Sequence, residues 1–339
     1  MDEFSQVFSH QIGIVNELSK YFSRVTVLTG KIGSYSVSPN VRVYSSDWQS
    51  GKRISSTTKF LLVFLKLLLS NRFTVIFSHM TSVQAALISP ITRVLRINHL
   101  LWYTHTSDNF ALRVCNLFTN GILTATAGSC PLSGLKVHVI GHSIDTKIFR
   151  RKSSPNFPIS SFIHVGRFDP SKNIRLIIET LQNLKVTKND VSFTNIGLPS
   201  GEANTNYYQN IISEFDRDKS SSWVKFEGSV PRQTLPNRLN NFDCFIHAFS
   251  GSLDKAVLEA TFICLPVVTI NPEYKKIFGS WDKDNRLSEY SLLEELNFLL
   301  NLTKEELNTE LDRRYQIAQK DYELEGWARR VITVMDNLR

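Results

Sequence analysis

Residues 162–181, FIHVGRFDPSKNIRLIIETL, change from a strand pattern to a helix pattern within a short distance. The apolar run of strand type ends at Gly166, and from about Lys172 the apolar residues recur at the three- and four-residue spacing of one helix face. Arg167 and Lys172 stand in the turn between the two elements. Two cations beside the free N–H groups of a strand-to-helix turn suit a diphosphate; the alternative is a capped turn with ordinary solvated charges.

Segments of strand and helix type alternate on both sides of this stretch through most of the 339 residues. Such alternation predicts parallel sheets covered by helices, the doubly wound α/β class. The pattern restarts after Lys152, where residues 153–161, SSPNFPISS, have the Ser- and Pro-rich composition of a linker. We therefore predict two Rossmann-like domains, the first over residues 1–152 and the second from residue 153 onward.

The beginning of the first domain departs from this pattern. A fold of this class normally opens with a strand that becomes central in its sheet, whereas a helix pattern appears here almost at once, in residues 10–22, HQIGIVNELSKYF. We expect an N-terminal domain without its first strand, either because the native start lies upstream of Met1 or because the domain is incomplete.

The positive charge of the chain lies in its first half. Residues 1–152 contain 17 Lys and Arg against 6 Asp and Glu, and the remainder contains 22 against 25, for a net charge of +8. A basic half attracts polyanions; because no nucleic-acid recognition pattern is present, we predict contact with an anionic membrane surface, with solubility alone as the alternative. The apolar residues 60–69, FLLVFLKLLL, are too few to span a bilayer. They predict a buried helix, with an interfacial helix as the alternative.

The four cysteines, Cys115, Cys130, Cys244 and Cys264, lie far apart in apolar surroundings and form no CxxC pair. This pattern predicts buried thiols in a reducing compartment and no zinc site. The N-terminal residues have neither the basic nor the apolar region of a secretory signal. We expect a cytoplasmic protein with peripheral contact at the inner face of the membrane.

Several segments resemble retaining glycosyltransferases of family 4, the glycosyl transferases group 1, which have the GT-B fold. GRFDPSKNIRLIIETL (166–181) looks like their GR-x-x-x-x-K segment, and SGSLDKAVLEA (250–260) looks like the donor loop of a branch with a GSLDKxVLEA form. LLWYTHTSDN (100–109) and VHVIGHSIDTKIF (137–149) resemble segments of their N-terminal half.

The resemblance implies a GT-B protein whose two Rossmann-like domains face an interdomain cleft. Residues 1–152 would form the acceptor-side domain, and residues 153–316 would bind a nucleotide sugar. Residues 317–339 would form a helix that crosses back to the N-terminal domain.

The resemblance also assigns roles in donor binding. Arg167 and Lys172 match the pair that binds the donor diphosphate, with Gly166 and Ser252 beside them. Lys255 would supply further charge to the diphosphate. Glu259 matches a carboxylate that binds the ribose hydroxyls, and a carboxylate is chemically suited to accept two hydroxyl hydrogen bonds.

Two further residues are the candidate catalytic groups. His105 follows a strand at a position where the family places a histidine close to the donor sugar, and an imidazole can donate to a sugar hydroxyl. Gly251 stands where the family usually has a second glutamate. Asp254, three residues later, is the candidate replacement through a hydroxyl contact to the sugar.

The function implied is retaining transfer of a hexose from a nucleoside-diphosphate sugar to a glycan or glycolipid acceptor, in cell-surface polysaccharide biosynthesis. No metal is expected: Asp282 and Asp284, like Asp216 and Asp218, lie in charged surroundings typical of a solvated surface. The alternatives are a non-catalytic binding or partner protein and a GT-B nucleotide-sugar epimerase or phosphorylase. A nucleic-acid binder ranks last.

Overall fold

The computed structural model describes residues 1–5, 9–49, 51–151, 156–216 and 222–338. The chain forms two compact units. The first comprises Met1–Asp145 together with Tyr322–Arg339, and the second comprises Thr146–Asp321. The boundary between the two units lies after Asp145, ahead of the Ser- and Pro-rich segment at residues 153–161. Residues 153–155 of that segment lie outside the described residues.

The first unit alternates helices and strands in the order that the apolar pattern predicts. Its elements before residue 145 are α1 (His10–Ser19), β1 (Val25–Thr29), β2 (Val41–Ser45), α2 (Arg53–Ser70), β3 (Val75–His79), α3 (Ser82–Val94), β4 (Asn98–Trp102), α4 (Phe110–Phe118), β5 (Gly121–Thr124) and β6 (Val137–Val139). All strand pairs are parallel, in one sheet of order β1-β2 and another of order β3-β4-β5-β6.

The described residues of this unit form two separate parallel sheets. The first helix or strand in the described part is α1, and no ladder there joins β1 to β3. Leu28 of β1 and Ile76 of β3 nevertheless pack against the same cluster, formed by Phe60, Phe64 and Ile88. Helices α2 and α3 therefore pack against residues of both sheets, although among the described residues no backbone hydrogen bonds between β1 and β3 join the sheets.

The second unit follows the same alternation. Its elements are β7 (Ser161–Val165), α5 (Ile174–Lys185), β8 (Ser192–Ile196), α6 (Glu202–Asp216), β9 (Val224–Glu227), α7 (Leu235–Leu239), β10 (Cys244–His247), α8 (Lys255–Phe262), β11 (Val267–Thr269), α9 (Pro272–Phe278), α10 (Leu292–Leu300) and α11 (Lys304–Tyr322). The five strands form one parallel sheet of order β11-β10-β7-β8-β9. Because parallel strands end at the same edge, the loops after β7, β8, β10 and β11 meet there.

The last helix, α12 (Leu324–Asn337), belongs to the first unit and packs against α1. Its Trp327 is fully buried, with its ring centroid 5.4 Å from that of Trp102 on β4. The chain therefore returns to the first unit through a large aromatic contact, which stabilises the helix by burying apolar area.

Helix α2 is only partly buried, so the expectation of a buried helix is correct for one face alone. Phe60 and Phe64 lie in the core, whereas Leu62 is 62% and Leu69 is 90% exposed. The run is apolar on both faces, but the unit supplies packing partners for one face. No helix among the described residues is long and apolar enough to cross a membrane.

Candidate functional site

The turn after β7 is built by short-range hydrogen bonds. Asp169 accepts from the backbone N–H of Ser171 at 3.0 Å and begins a short 3-10 turn, Pro170–Lys172. Asn173 then takes a left-handed conformation, with φ of 51°, and α5 starts one residue later. The predicted helix start near Lys172 is thus a 3-10 turn followed by the helix. Arg167 stands ahead of this turn, with its side chain 65% exposed and 3.8 Å from the Asp169 carboxylate.

Lys172 is placed very differently from Arg167. Its side chain is buried, its ammonium forms an ion pair with the carboxylate of Asp254, and its Nζ lies 3.9 Å from the centroid of the Phe249 ring. Asp254 is the residue that precedes the first turn of α8. The structure thus joins two residues that the sequence analysis assigned separately, one to the diphosphate and one to the sugar.

A second partner of Asp254 comes from the interior of the sheet. His247 Nε2 lies 3.4 Å from Asp254 Oδ2, and its Nδ1 lies 2.9 Å from the hydroxyl of Thr269. Burial lowers the pKa of His247, so the ring is neutral. A neutral ring facing a carboxylate carries its proton on Nε2, and Nδ1 therefore accepts from Thr269. Burial opposes ionisation of Asp254, but the contacts with His247 and Lys172 outweigh it and hold its pKa well below the usual range.

A second buried histidine lies beside the first. His164 on β7 stacks on His247 of β10, with ring centroids 5.8 Å apart. Its Nδ1 donates to the carbonyl of Ile246 at 3.0 Å, and burial lowers its pKa to about 3. Its Nε2 has no partner among the described residues. A Cβ at Gly166 would lie 3.1 Å from that nitrogen, so the glycine makes room for the imidazole.

Asn271 anchors the loop between β10 and α8. Its amide nitrogen donates to the carbonyls of Phe249 and Gly251 at 3.0 Å and lies 3.3 Å from that of Ser252. Its Oδ1 accepts from the backbone N–H of Tyr274 at 2.9 Å and caps α9. One fully buried side chain thus sets the path of the loop in which the sequence analysis placed the donor sugar.

Gly251 has no room for a side chain while Phe249 stays in place. A Cβ at this position would lie 2.7 Å from Cε2 of the Phe249 ring and closer still to Cζ. The same ring covers the ammonium of Lys172. A glutamate at position 251 would therefore require the Phe249 ring to move away from Lys172.

The remaining donor-side candidates lie on α8. Lys255 begins the helix and is half-buried, as is Ser252 ahead of it. Glu259, on the next turn, is buried and forms an ion pair with Arg232, a residue that the sequence analysis did not select. Glu259 therefore carries a partner of opposite charge within its own unit.

His105 belongs to the first unit. It is exposed on the loop that follows β4, and its Nδ1 accepts from the backbone N–H of Ser107 at 3.1 Å. All the other candidates belong to the second unit, near the edge where its parallel strands end.

The candidate metal-binding aspartates have ordinary local contacts. Asp282 accepts from the Tyr290 hydroxyl and, at 3.0 Å, from the backbone N–H of Asp284. The side chain of Asp216 and all of Asp218 lie outside the described residues. Within the described ranges, no three His, Cys, Asp or Glu side chains form a group that could hold a metal ion.

Sequence reasoning missed four residues of this site: His164, His247, Asn271 and Arg232. The histidines carry a usable signal, since each interrupts an apolar strand (FIHV and CFIHAF) where only a paired polar group is tolerated. Asn271 and Arg232 lie in polar segments, and only their contacts distinguish them from surface residues.

Comparisons with known proteins concern the family and the fold. Residues 145–276 match the family described as Glycosyl transferases group 1. Among solved structures, HepE from Anabaena, in complex with UDP and glucose, superimposes with a TM-score of 0.74 at 13% identity over 99% of this chain and 98% of its own. Sucrose-phosphate synthase from Thermosynechococcus elongatus superimposes with a TM-score of 0.75 at 12% identity over 96% of this chain and 92% of its own.

The pneumococcal O-GlcNAc transferase GtfA, in complex with UDP and GlcNAc, is a more partial match. Its TM-score is 0.62 at 12% identity, over 83% of this chain and 60% of its own. No curated protein sequence matches the chain. At these identities the structural likeness establishes the fold, and the predicted GT-B class is confirmed. Residues 145–276 are thus similar to the Glycosyl transferases group 1 family, and the chain has the GT-B fold.

Proposed function

We propose that this protein is a retaining glycosyltransferase, resembling family 4, that moves a hexose from a nucleoside-diphosphate sugar to a glycan or glycolipid acceptor in cell-surface polysaccharide biosynthesis. The observation that carries the proposal is the buried Lys172, held beside the start of α8 at the strand-end edge of the second unit. The similarity to the Glycosyl transferases group 1 family and the complexes of HepE and GtfA with UDP and a sugar support it.

Three cationic side chains in different local environments bind the donor diphosphate. Arg167 is exposed, Lys172 is buried, and Lys255 adds its charge at the start of α8, where backbone N–H groups are suited to bind an anion. These side chains stabilise the diphosphate as negative charge develops on it during cleavage of the glycosidic bond. In this proposal they need no metal ion for that task.

Glu259 accepts hydrogen bonds from the ribose, and Gly166 and Ser252 let the backbone approach the donor. Asp254 contacts a sugar hydroxyl. Lys172 and His247 both meet its Oδ2, so Oδ1 is the oxygen that faces the sugar in this proposal. His105 of the first unit is the second catalytic group, and the acceptor binds to that unit.

Arg167→Ala tests the diphosphate assignment. We expect the affinity for the nucleoside diphosphate to fall by about tenfold or more, because one charge-assisted contact to the phosphates is lost. A panel of UDP, GDP and ADP, scored by thermal stabilisation of the wild type, identifies the nucleotide to titrate.

Arg175→Ala is the matched control for this substitution. Arg175 is also exposed, lies on α5 a short distance along the chain, and pairs with Glu214. We expect it to leave nucleotide affinity unchanged. Equal affinities of the Arg167 variant and the wild type would show that Arg167 does not bind the diphosphate.

We propose that the first unit contacts an anionic membrane surface from the cytoplasmic side. Leu62, Leu65 and Leu69 of α2 are exposed, and Lys66 and Arg72 stand beside them. An exposed apolar stripe with flanking cations is suited to the interface of an anionic bilayer.

Leu62→Ser with Leu69→Ser should weaken co-sedimentation with vesicles of phosphatidylglycerol and phosphatidylcholine at least about fivefold, because two apolar side chains no longer enter the interface. Val186→Ser, which replaces another exposed apolar residue in the second unit, should not change it. Equal binding of all three proteins would exclude α2 as the contact.

A non-catalytic binding protein is the second candidate, since Gly251 lacks the usual glutamate and Lys172 is neutralised by Asp254. Tight binding of a nucleotide sugar without hydrolysis, transfer or acceptor-independent change of the sugar would favour it. An acceptor-independent change of the sugar would instead identify an epimerase or a phosphorylase.

A further inference from the structure

Arg232 lies against Glu259 from a different part of the second unit. It stands in the loop between β9 and α7, and the two side chains form an ion pair in which they are 15% and 5% exposed. The guanidinium carbon lies 4.9 Å from the centroid of the Phe149 ring. Both charges are therefore largely withdrawn from water, and each depends on the other for its compensation.

The loop that carries Arg232 is held by one carbonyl. The oxygen of Pro231 accepts from the backbone N–H groups of Thr234 and Leu235 at 3.0 and 3.1 Å, and from the Thr234 hydroxyl at 3.0 Å. Leu235 is buried at the start of α7. Since the backbone beside Arg232 is anchored in this way, the guanidinium approaches Glu259 from a defined direction.

We propose that Arg232 is a positioning residue that orients the Glu259 carboxylate toward the ribose, and so sets a preference for ribonucleotides over 2′-deoxyribonucleotides. The inference rests on the proposed function, because it deepens the role of Glu259. A carboxylate offers about four acceptor positions. An arginine on one side therefore leaves acceptors for two sugar hydroxyls on the other.

Arg232 affects how well Glu259 accepts hydrogen bonds from the ribose of a bound nucleoside. Without a cation beside it, a buried carboxylate loses its charge compensation and turns toward water, away from the ribose. A loss of Arg232 should therefore act on the contact with the ribose hydroxyls more than on the contacts with the base or the phosphates.

The test is a set of calorimetric affinities for UDP, GDP and ADP and for dUDP, dGDP and dADP, which differ from them only at the 2′ position. The measured quantity is the ratio of the ribo to the deoxy affinity for the base that binds. We expect the wild type to favour the ribonucleotide by about tenfold or more, the size of a hydrogen bond to a charged group. Arg232→Gln should reduce this ratio to below about threefold, and Arg232→Lys should give an intermediate value.

Arg238→Gln is the matched control. Arg238 also pairs with a carboxylate, that of Glu227, and also approaches a phenylalanine ring, that of Phe242 at 5.8 Å. We expect this variant to keep the ratio of the wild type. A general loss of stability lowers the fraction of folded protein and therefore affects both nucleotides of a pair equally, so it does not move the ratio.

The outcomes separate the inference from the proposed function. A wild type that binds no nucleoside diphosphate overturns the proposed function and the inference with it. A wild type that binds one without a ribose preference, or an Arg232→Gln variant with an unchanged ratio, overturns the inference alone. If Arg232→Gln does not fold, Arg232→Lys decides: a ratio at least about threefold below the wild type supports the inference, and an unchanged ratio overturns it.

Discussion

Lys172→Met is expected to weaken nucleoside diphosphate binding by about 100-fold or more, beyond the effect of losing a surface lysine. Two effects add. The buried ammonium no longer meets the phosphates, and Asp254, released from its ion pair, turns the site from neutral to negative. The measurement is the dissociation constant by calorimetry.

The double variant Lys172→Met with Asp254→Asn separates these two effects. Removing the carboxylate as well should recover part of the affinity, because the repulsion of the phosphates disappears while the ammonium is still missing. The single variant also leaves the half-buried carboxylate of Asp254 without its cation, which lowers stability by about 1 kcal/mol or more. Should that variant fail to fold, the double variant still reports the loss of the ammonium.

Lys185→Met is the control for the loss of a lysine from the same helix region. Lys185 lies at the end of α5, with its Nζ 6.0 Å from the centroid of the Trp223 ring. It resembles Lys172 in lying near an aromatic ring but is half-buried and distant from α8 along the chain. Affinity equal to the wild type in a folded Lys172→Met protein would remove the lysine from the donor site.

Gly197→Ala is expected to lower the free energy of unfolding by about 3 kcal/mol or more, through a clash between two backbones and an unfavourable dihedral angle. Gly197 follows β8 with φ of +150°, and a Cβ there would lie 2.9 Å from the carbonyl carbon of Gly166 and closer to its oxygen. Neither atom belongs to a flexible side chain. The turn that carries Arg167 would therefore have to move.

Gly201→Ala separates the dihedral strain from the clash. Gly201 lies in the same loop, with φ of +84°, and a Cβ there would meet nothing within 4 Å. We expect this control to cost only about 1 kcal/mol, the strain of a left-handed conformation. Chemical denaturation followed by circular dichroism gives both values.

The Gly197 variant should also bind nucleoside diphosphates more weakly in its folded state, because Gly166 and Phe168 are hydrogen-bonded to the strand end at Ile196 and the following loop. Similar stability losses for the two variants would contradict the close approach of the loops after β7 and β8.

The elements of this protein were predictable because their signals are local. The strand that ends at Gly166 and the helix that begins after Lys172 show their periods within a few residues, and α5 buries Ile174, Ile177 and Ile178 as that period requires. The alternation of such segments also predicts parallel sheets, since a strand followed by a helix returns parallel to itself.

The connections of the candidate site depend on the tertiary structure. Lys172 meets Asp254, and Glu259 meets Arg232, only because the strand order β10-β7-β8-β9 brings together loops far apart in the chain. A strand pattern predicts that a segment pairs with another strand, but it does not predict which strand that is.

The sequence by itself therefore determined the α/β class, the positions of the helices and strands, and the residue types able to bind a diphosphate. The tertiary structure decided which of those charges are buried, which are already paired, and why Gly251 has no room for a glutamate beside Phe249. The physical reason is that secondary structure depends on short-range periodicity. Burial and pairing depend instead on packing between segments that the periodicity does not relate.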